Sequence, residues 1–253
     1  MKKAAAFFAL LLQVLVLSAV AAEPARECTL CAGAVSDLAA PPPVTVPLLV
    51  EVRQDDLATA AARLDALSPE QRKKVALIVS YAVNRDSDAL LDVEQHTKSI
   101  VEWARIRGPF DALGVRVSNA DAPLVAYAVK RLAVTAQGLD VAGRIVLTQT
   151  PDLDALFENG VQPYFDALLT DGAGVTNSVA WLAERDPSKK VFAVVAPQSP
   201  NHFYDLARAF ADGATRAYLA TSADPVALAN FNQTFAGDWA YDSTAKIPVL
   251  DAK

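Results

Sequence analysis

Polar and acidic side chains follow several of the apolar runs in this sequence, and they are the residues that could bind a ligand or move a proton. Most carry amide, hydroxyl or ring groups, which suit contacts with hydroxyl groups better than contacts with phosphate. The candidate ligand contacts all lie at or just after the end of an apolar run: Tyr81, Asn84, Arg116, Asn119, Asp121, Asp171, Gln198, Asn201 and His202.

Acids near these same positions could supply carboxylates for acid–base chemistry. Asp121 and Asp171 are the pair that fits such a role best. Asp152 suits the first turn of a helix, and Asp121 also suits a helix cap. Glu51 lies near the end of the first apolar run and is expected to face a helix. Capping and chemistry therefore both stay open for Asp121.

The sequence predicts no metal or nucleotide cofactor. His96 and His202 lie far from each other and from the two cysteines, so no set of residues has the spacing of a closed zinc site. His202 also suits the start of a helix. No G-x-G-x-x-G or G-x-x-x-x-G-K loop follows an apolar run, which argues against a bound nucleotide.

Cys28 and Cys31 are the only cysteines and form a C-x-x-C pair. A haem attachment site needs histidine after the second cysteine, but Ala32 stands there. A thioredoxin-like motif opens a helix after a strand, whereas this pair lies in an irregular stretch. A local disulfide between Cys28 and Cys31 is the prediction, and two free surface thiols are the alternative.

The first 22 residues have the pattern of a secretory signal. Lys2 and Lys3 precede a run that is mostly apolar up to Val20, and small residues end it at Ala22. We predict cleavage, a secreted or periplasmic location, and no stable membrane insertion afterwards. An uncleaved membrane anchor is the alternative, although the apolar run is barely long enough for it.

From Val44 onward, short apolar runs alternate with amphipathic stretches. The predicted strands are 44–52, 75–83, 111–117, 144–149, 164–170, 190–196 and 215–221. Strand followed by helix, repeated seven times, predicts a parallel α/β sheet with right-handed crossovers. We favour a parallel (β/α)8 TIM-type barrel over an open sheet, with a degenerate eighth strand at Leu30–Val35 or at Ile247–Leu250.

Length and charge limit the domain count and the partners. The chain of 253 residues, less its signal, suits one barrel domain. We place the signal peptide at 1–22, a Cys-containing and Pro-rich linker at 23–43, and the barrel at 44–253. The net charge of −6 and the lack of a Lys/Arg cluster argue against nucleic acid as a partner.

Segments between residues 75 and 224 resemble, in order, the barrel glycoside hydrolases of the clan that includes β-xylosidases, α-iduronidases and endo-glycanases. Val101–Ala120 (VEWARIRGPFDALGVRVSNA) is similar to the helix and strand that end in Asn-Glu, with Asn119 at the asparagine. Pro123–Thr148 and Leu153–Gly172 are similar to the next helices and strands. Lys189–Asp224 resembles the strand that ends in the nucleophilic glutamate, followed by the last helix and strand.

At the positions of the family's two catalytic glutamates, this chain has Ala120 and Ala196. The family carries the glutamates on strands four and seven, and three strand steps likewise separate Asn119 from Ala196 here. Retaining hydrolysis needs two carboxyl groups about 5 to 5.5 Å apart. The resemblance therefore implies a glycoside hydrolase framework without its catalytic pair.

The resemblance and the neutral polar rim together predict an exported barrel that binds a carbohydrate or acts as an accessory module. Two alternatives stay open. The first is an active glycoside hydrolase with displaced carboxylates, for which Asp121 and Asp171 are the candidate pair. The second is a non-catalytic envelope scaffold whose polar rim binds nothing.

Overall fold

A computed structural model of the chain describes residues 31–36, 46–84, 88–148, 152–198, 202–220, 225–235, 239–242 and 247–250. Eight parallel strands close into a barrel in chain order, which confirms the predicted fold. The strands are β1 (Cys31–Ser36), β2 (Leu48–Arg53), β3 (Val75–Ala82), β4 (Ala112–Ser118), β5 (Ile145–Thr148), β6 (Ala167–Asp171), β7 (Lys190–Val195) and β8 (Arg216–Leu219).

Helices connect these strands and cover the outside of the barrel. They are α1 (Leu57–Asp65), α2 (Pro69–Arg72), α3 (Ala89–Arg107), α4 (Ala122–Ala136), α5 (Leu153–Glu158), α6 (Val175–Arg185), α7 (His202–Ala211) and α8 (Pro225–Phe235). Short 3₁₀ turns lie at Gln54–Asp56, Gln162–Tyr164 and Gly172–Gly174. Among the helices described, none is long and apolar enough to cross a membrane. The predicted signal at 1–22 lies outside the described residues.

Of the two positions predicted for the strand that completes the barrel, the structure uses the N-terminal one. Cys31–Ser36 forms β1, which pairs with β8 on one side and with β2 on the other. Ile247–Leu250 instead forms β10, which pairs antiparallel with β9 (Trp239–Asp242) outside the barrel. The predicted linker at 23–43 was therefore wrong over β1, and the barrel begins before Val44. β1 consists mostly of small residues (CAGAVS), so it lacks the run of β-branched residues that indicates a strand.

Strand residues alternate between two apolar layers. Side chains of one parity pack against the helices, as Leu48, Val50 and Val52 do on β2. Side chains of the other parity fill the barrel interior, where they form a cluster of Leu49, Ala76, Ile78, Ala112, Val146, Ala167, Leu169, Phe192 and Tyr218. This alternation decides which polar residues near the carboxyl ends of the strands face the barrel mouth.

The N-terminal part of β1 is held by a side chain from α8. The Asn232 amide group accepts a hydrogen bond from the Ala32 N–H (2.7 Å) and donates one to the Ala32 carbonyl oxygen (2.8 Å). β2 pairs with β1 only from Ala34 onward, so Asn232 supplies the partners that a neighbouring strand supplies elsewhere. The contact ties the last described barrel helix to the first strand.

Asn232→Ala is expected to lower the free energy of unfolding by about 1–3 kcal/mol, because two backbone groups lose their partners. Urea denaturation followed by circular dichroism measures the loss. Asn177→Ala is the matched control, because Asn177 lies exposed on α6 and its loss is expected to cost at most about 0.5 kcal/mol. Equal losses of unfolding free energy for the two variants would show that the hydrogen bonds from Asn232 to β1 contribute nothing to stability.

Cys31 begins β1 and is disulfide-bonded. Its side chain is buried, with 6% of the residue exposed. Cys28 is the only other cysteine in the sequence and lies outside the described residues. A disulfide therefore anchors the first residue of β1.

Candidate ligand-binding site at the barrel mouth

Arg53, Ser80 and Arg116 form one row across three neighbouring strands, here called the mouth row. Arg53 on β2 is in register with Ser80 on β3, which is in register with Arg116 on β4. Each lies two or four positions after a residue of the interior cluster on its own strand, so each faces the barrel interior. The row lies toward the carboxyl ends of the strands, where TIM barrels bind their ligands.

Each arginine of the mouth row holds a carboxylate. Arg53 donates from Nε and Nη2 to the two oxygens of Asp55, at 3.0 and 2.7 Å. This hydrogen bond raises the pKa of Arg53 and lowers the pKa of Asp55, so both groups are charged at neutral pH. Arg116 places Nε 3.3 Å from Oε1 of Glu51. Two guanidinium–carboxylate pairs thus flank the Ser80 hydroxyl.

The mouth row keeps hydrogen-bonding capacity for a ligand. Arg116 is half exposed, and within the described part of the chain its two terminal nitrogens make no hydrogen bond. Nη1 of Arg53 is likewise unengaged there. The Ser80 hydroxyl donates to the Val52 carbonyl oxygen at 3.4 Å, which leaves its lone pairs as acceptors. Donors and acceptors therefore alternate along the row.

A cavity of about 670 Å³ opens beside the mouth row. Its lining residues come from β2, β3, β4, α3 and the turn after β2: Arg53, Gln54, Asp55, Ser80, Tyr81, Ala82, His96 and Ser118. The volume lies within the range of about 300–1,000 Å³ that small-molecule sites occupy. Seven of the eight lining residues carry a polar group, and apolar parts of the same side chains contribute surface as well, so the cavity offers a ligand both hydrogen bonds and apolar contacts.

Tyr81 and His96 form the helix side of this cavity. Tyr81 lies on the outer face of β3, and its ring centroid is 4.7 Å from that of His96. Burial raises the pKa of Tyr81 to about 12, so its phenol stays neutral. His96 Nε2 lies 3.2 Å from Oδ1 of Asp92, whose other oxygen accepts the Asn84 N–H at 3.0 Å. Asp92 thereby fixes both His96 and the chain after β3.

The two acids of the displaced-carboxylate hypothesis make local contacts. Asp121 caps α4 by accepting the Leu124 N–H at 3.1 Å, and Asp171 caps the following 3₁₀ turn by accepting the Gly174 N–H at 2.7 Å. Asp171 lines a second cavity of about 300 Å³ whose lining does not include Asp121. Each carboxylate is therefore engaged at the start of its own helix or turn.

Ala120 and Ala196 follow the two strands on which the resemblance places the catalytic glutamates. Ala120 comes after β4, is partly buried and packs against the outer apolar layer. Ala196 comes directly after β7, is exposed and lines the second cavity. Asn119 has a left-handed backbone with φ of 60°, a conformation in which asparagine is enriched among residues with a side chain. It shapes the turn that leads into α4.

The remaining predicted contacts are spread around the mouth. Gln198 donates its backbone N–H to Asp205 at 2.9 Å and lines the second cavity. His202 begins α7, and Asn84 is exposed after β3. Asn201 lies outside the described residues. Of the predicted contacts, Tyr81 lines the larger cavity and Arg116 belongs to the adjacent mouth row.

Three residues of this site were not predicted from the sequence, and a fourth was assigned to the wrong side of its strand. Arg53, Asp55 and Ser80 were not among the predicted contacts. Glu51 was expected to face a helix, but it pairs with Arg116 on the interior side. The available signal was the alternation on β2, where Glu51 and Arg53 continue the parity of Leu49. Polar residues at every second position of an otherwise apolar strand indicate a mouth-facing edge.

No protein-family model matches the chain, and no curated protein matches it by sequence. Among solved structures, it is similar to a family 18 chitinase from Crocus vernus, with a TM-score of 0.51, 11% identity, and coverage of 81% of this chain and 94% of the chitinase. This likeness confirms the TIM-barrel fold and does not single out a glycoside hydrolase clan. Within the described residues, no group of three His, Cys, Asp or Glu side chains could hold a metal ion.

Two further solved barrels match less closely in shape. A racemase from Streptomyces coelicolor A3(2) with bound magnesium has a TM-score of 0.45 and 16% identity, over 76% of this chain and 56% of the racemase. Orotidine 5'-monophosphate decarboxylase from Sulfolobus solfataricus has a TM-score of 0.46 and 13% identity, over 76% of this chain and 86% of the enzyme. The chain thus spans little more than half the length of the racemase.

Proposed function

We propose that this chain is an exported, glycoside-hydrolase-like barrel that binds a neutral carbohydrate at its mouth without hydrolysing it. The observation that carries the proposal is the mouth row, in which two guanidinium–carboxylate pairs flank a serine beside a cavity of about 670 Å³. The charges of the two pairs cancel, so the row favours a neutral ligand. Hydrogen bonding, rather than net charge, supplies the recognition.

Adjacent hydroxyl groups of a sugar match this arrangement. Each hydroxyl can accept a hydrogen bond from a guanidinium N–H and donate one to a carboxylate oxygen. Arg53 with Asp55 presents such a donor and acceptor side by side, and Arg116 with Glu51 presents a second set. Hydrogen bonds to charged groups are the stronger ones in proteins. The row is therefore suited to the hydroxyls of one or two sugar rings.

The acids of the mouth do not supply the chemistry of a retaining hydrolase. The positions expected for the acid/base and the nucleophile carry Ala120 and Ala196, respectively, and a methyl group can neither donate a proton nor attack a sugar. The pKa of Asp55 is lowered by its bond to Arg53, so Asp55 is ionised and cannot act as a general acid near neutral pH. Glu51 lies against Arg116. Binding without turnover is the function these contacts support.

Two features support an exported location. The first 22 residues carry the basic start, apolar core and small-residue exit of a secretory signal. Cys31 is disulfide-bonded, which fits an oxidising compartment because thiols stay reduced in the cytosol. The proposal therefore places the sugar-binding mouth in the periplasm or outside the cell.

Calorimetric titration with neutral xylo-, cello- and chito-oligosaccharides tests the proposed function. At least one class is expected to bind, and Arg116→Ala is expected to weaken that binding about 10- to 100-fold, because hydrogen bonds to a charged group contribute about 1.5–3 kcal/mol each. Arg105→Ala is the matched control, since Arg105 lies exposed on α3 away from the mouth. Its affinity is expected to equal that of the unchanged protein.

A reducing-end assay on the same sugars separates the alternatives. No release is expected over many hours at equal protein and sugar concentrations. Efficient release would overturn the proposal in favour of an active hydrolase with displaced carboxylates. Absence of binding to every sugar, with the protein folded, would instead favour a scaffold.

A further inference from the structure

The amino-terminal end of the barrel, opposite the mouth, is closed by one carboxylate between two arginines, here called the barrel floor. Asp111 precedes β4 and accepts a hydrogen bond from Arg144 Nη1 at 2.6 Å. Its other oxygen accepts one from Arg216 Nη1 at the start of β8. Asp111 and Arg216 are well buried, with 10% and 16% of their side chains exposed. The bond crosses the barrel, since β4 and β8 lie on opposite sides of the ring.

The barrel floor carries more positive than negative charge. One carboxylate is shared by two guanidinium groups, of which Arg216 is well buried and Arg144 has a third of its side chain exposed. Buried charges are costly unless they are paired. Arg216 also lies over the ring of Phe192, at 5.4 Å from its centroid, but a ring face offsets only part of a full charge. The imbalance favours an additional anion near the floor.

A cavity of about 310 Å³ opens on this end of the barrel beside Arg144. Its lining is Gly143, Arg144, Asp166, Ser188, Lys189 and Lys190. Lys189 is already engaged, because its ammonium donates to the Phe165 carbonyl oxygen at 2.7 Å and lies 3.7 Å from Asp186. In the described part of the chain, the Lys190 ammonium makes no ion pair or hydrogen bond. Lys190 is thus a free cation at the cavity.

The carboxylates near this cavity do not cancel its charge. Asp166 accepts the Ile145 N–H at 2.7 Å, and Asp186 accepts hydrogen bonds from Ser188 and faces Lys189. Together with Asp111, three carboxylates face four cations: Arg144, Arg216, Lys189 and Lys190. The surplus of one positive charge includes Arg216, which does not line the cavity; at the cavity itself, Lys190 is the cation whose ammonium has no partner among the described residues.

We infer that this cavity is a binding site for a small oxyanion, held between Lys190 and the free nitrogens of Arg144. Arginine presents its planar donors to two oxygens of such an anion, and lysine adds a point charge. Inorganic phosphate is the probe that matches this pair best, since it offers several acceptor oxygens and carries a mean charge between −1 and −2 near neutral pH. The site lies at the end of the barrel opposite the mouth row and is independent of the proposed sugar binding.

Thermal unfolding in phosphate tests this site. In a buffer without oxyanions, addition of phosphate to about ten times its dissociation constant is expected to raise Tm by roughly 3–6 °C. Sodium chloride at the same ionic strength is expected to give a smaller shift, because it supplies only screening. Sulfate is expected to act like phosphate, whereas acetate, with a single carboxylate, is expected to have a weaker effect.

Lys190→Gln separates binding from a structural role of the floor. It removes the free ammonium without touching the Asp111 contacts, so its Tm in chloride is expected to match that of the unchanged protein, while the phosphate shift is expected to be lost. Lys98→Gln is the matched control, since Lys98 is exposed on α3, and it is expected to keep the full shift. A phosphate shift that survives in Lys190→Gln, or that chloride reproduces in full, would overturn the site.

Discussion

Asp111→Ala is expected to lower the free energy of unfolding by about 3–5 kcal/mol, the range found when one partner of a buried ion pair is removed. The variant leaves Arg144 and Arg216 facing each other across the barrel floor with no carboxylate between them. Their mutual repulsion and their incomplete hydration both act against the folded barrel. Urea denaturation in chloride buffer at pH 7, extrapolated to water, measures the loss.

Asp65 provides a control of the same chemistry in a different environment. Its carboxylate also lies near two arginines, 3.3 Å from Arg107 Nε and 3.9 Å from Arg72 Nη1, but half of its side chain is exposed. Water can replace both contacts, so Asp65→Ala is expected to cost at most about 1 kcal/mol. If Asp65→Ala and Asp111→Ala cost the same, burial of the floor adds nothing to its ion pairs.

The alternation of strands and helices was predictable because each strand is covered on both sides. Seven of the eight barrel strands are apolar runs that end at a polar residue or a turn, as in β3 and β7. Their order along the chain requires parallel pairing, and β4 and β7 fall where the spacing of Asn119 and Ala196 placed them. The ends of the strands were less predictable. The strand predicted to begin at Tyr164 is preceded by a 3₁₀ turn around Pro163, and β6 starts only at Ala167.

The site was predictable only in part because its geometry depends on strand parity. An apolar run covered on both faces does not reveal which residues point inward, so Glu51 was assigned to the wrong side and Arg53 was overlooked. Tyr81 was expected at the mouth, but its ring is buried on the helix side of β3 and only borders the cavity. Asp121 and Asp171 cap a helix and a turn, a use that local sequence allowed as readily as chemistry.

Gly33→Ala is expected to lower the free energy of unfolding by about 3 kcal/mol, the upper end of the usual cost of overpacking. A Cβ atom at Gly33 would overlap the Pro47 carbonyl oxygen and lie 2.9 Å from Cδ1 of Tyr218. Pro47 cannot shift freely, because its carbonyl accepts the Ala34 N–H in the ladder between β1 and β2. Tyr218 cannot move aside either, since it is fully buried in the barrel interior. Urea denaturation measures the loss.

Gly172→Ala is the matched control for this substitution. A Cβ there would lie 3.6–3.7 Å from its nearest atoms, which is ordinary van der Waals contact. The change is therefore expected to be neutral, or to stabilise the fold by up to about 1 kcal/mol because alanine lowers the conformational entropy of the unfolded chain. Gly33→Ala tolerated as well as Gly172→Ala would mean that β1 does not pack tightly against β2 and β8. A loss confined to Gly33→Ala would establish that this small-residue segment, which has the composition of a linker, closes the barrel.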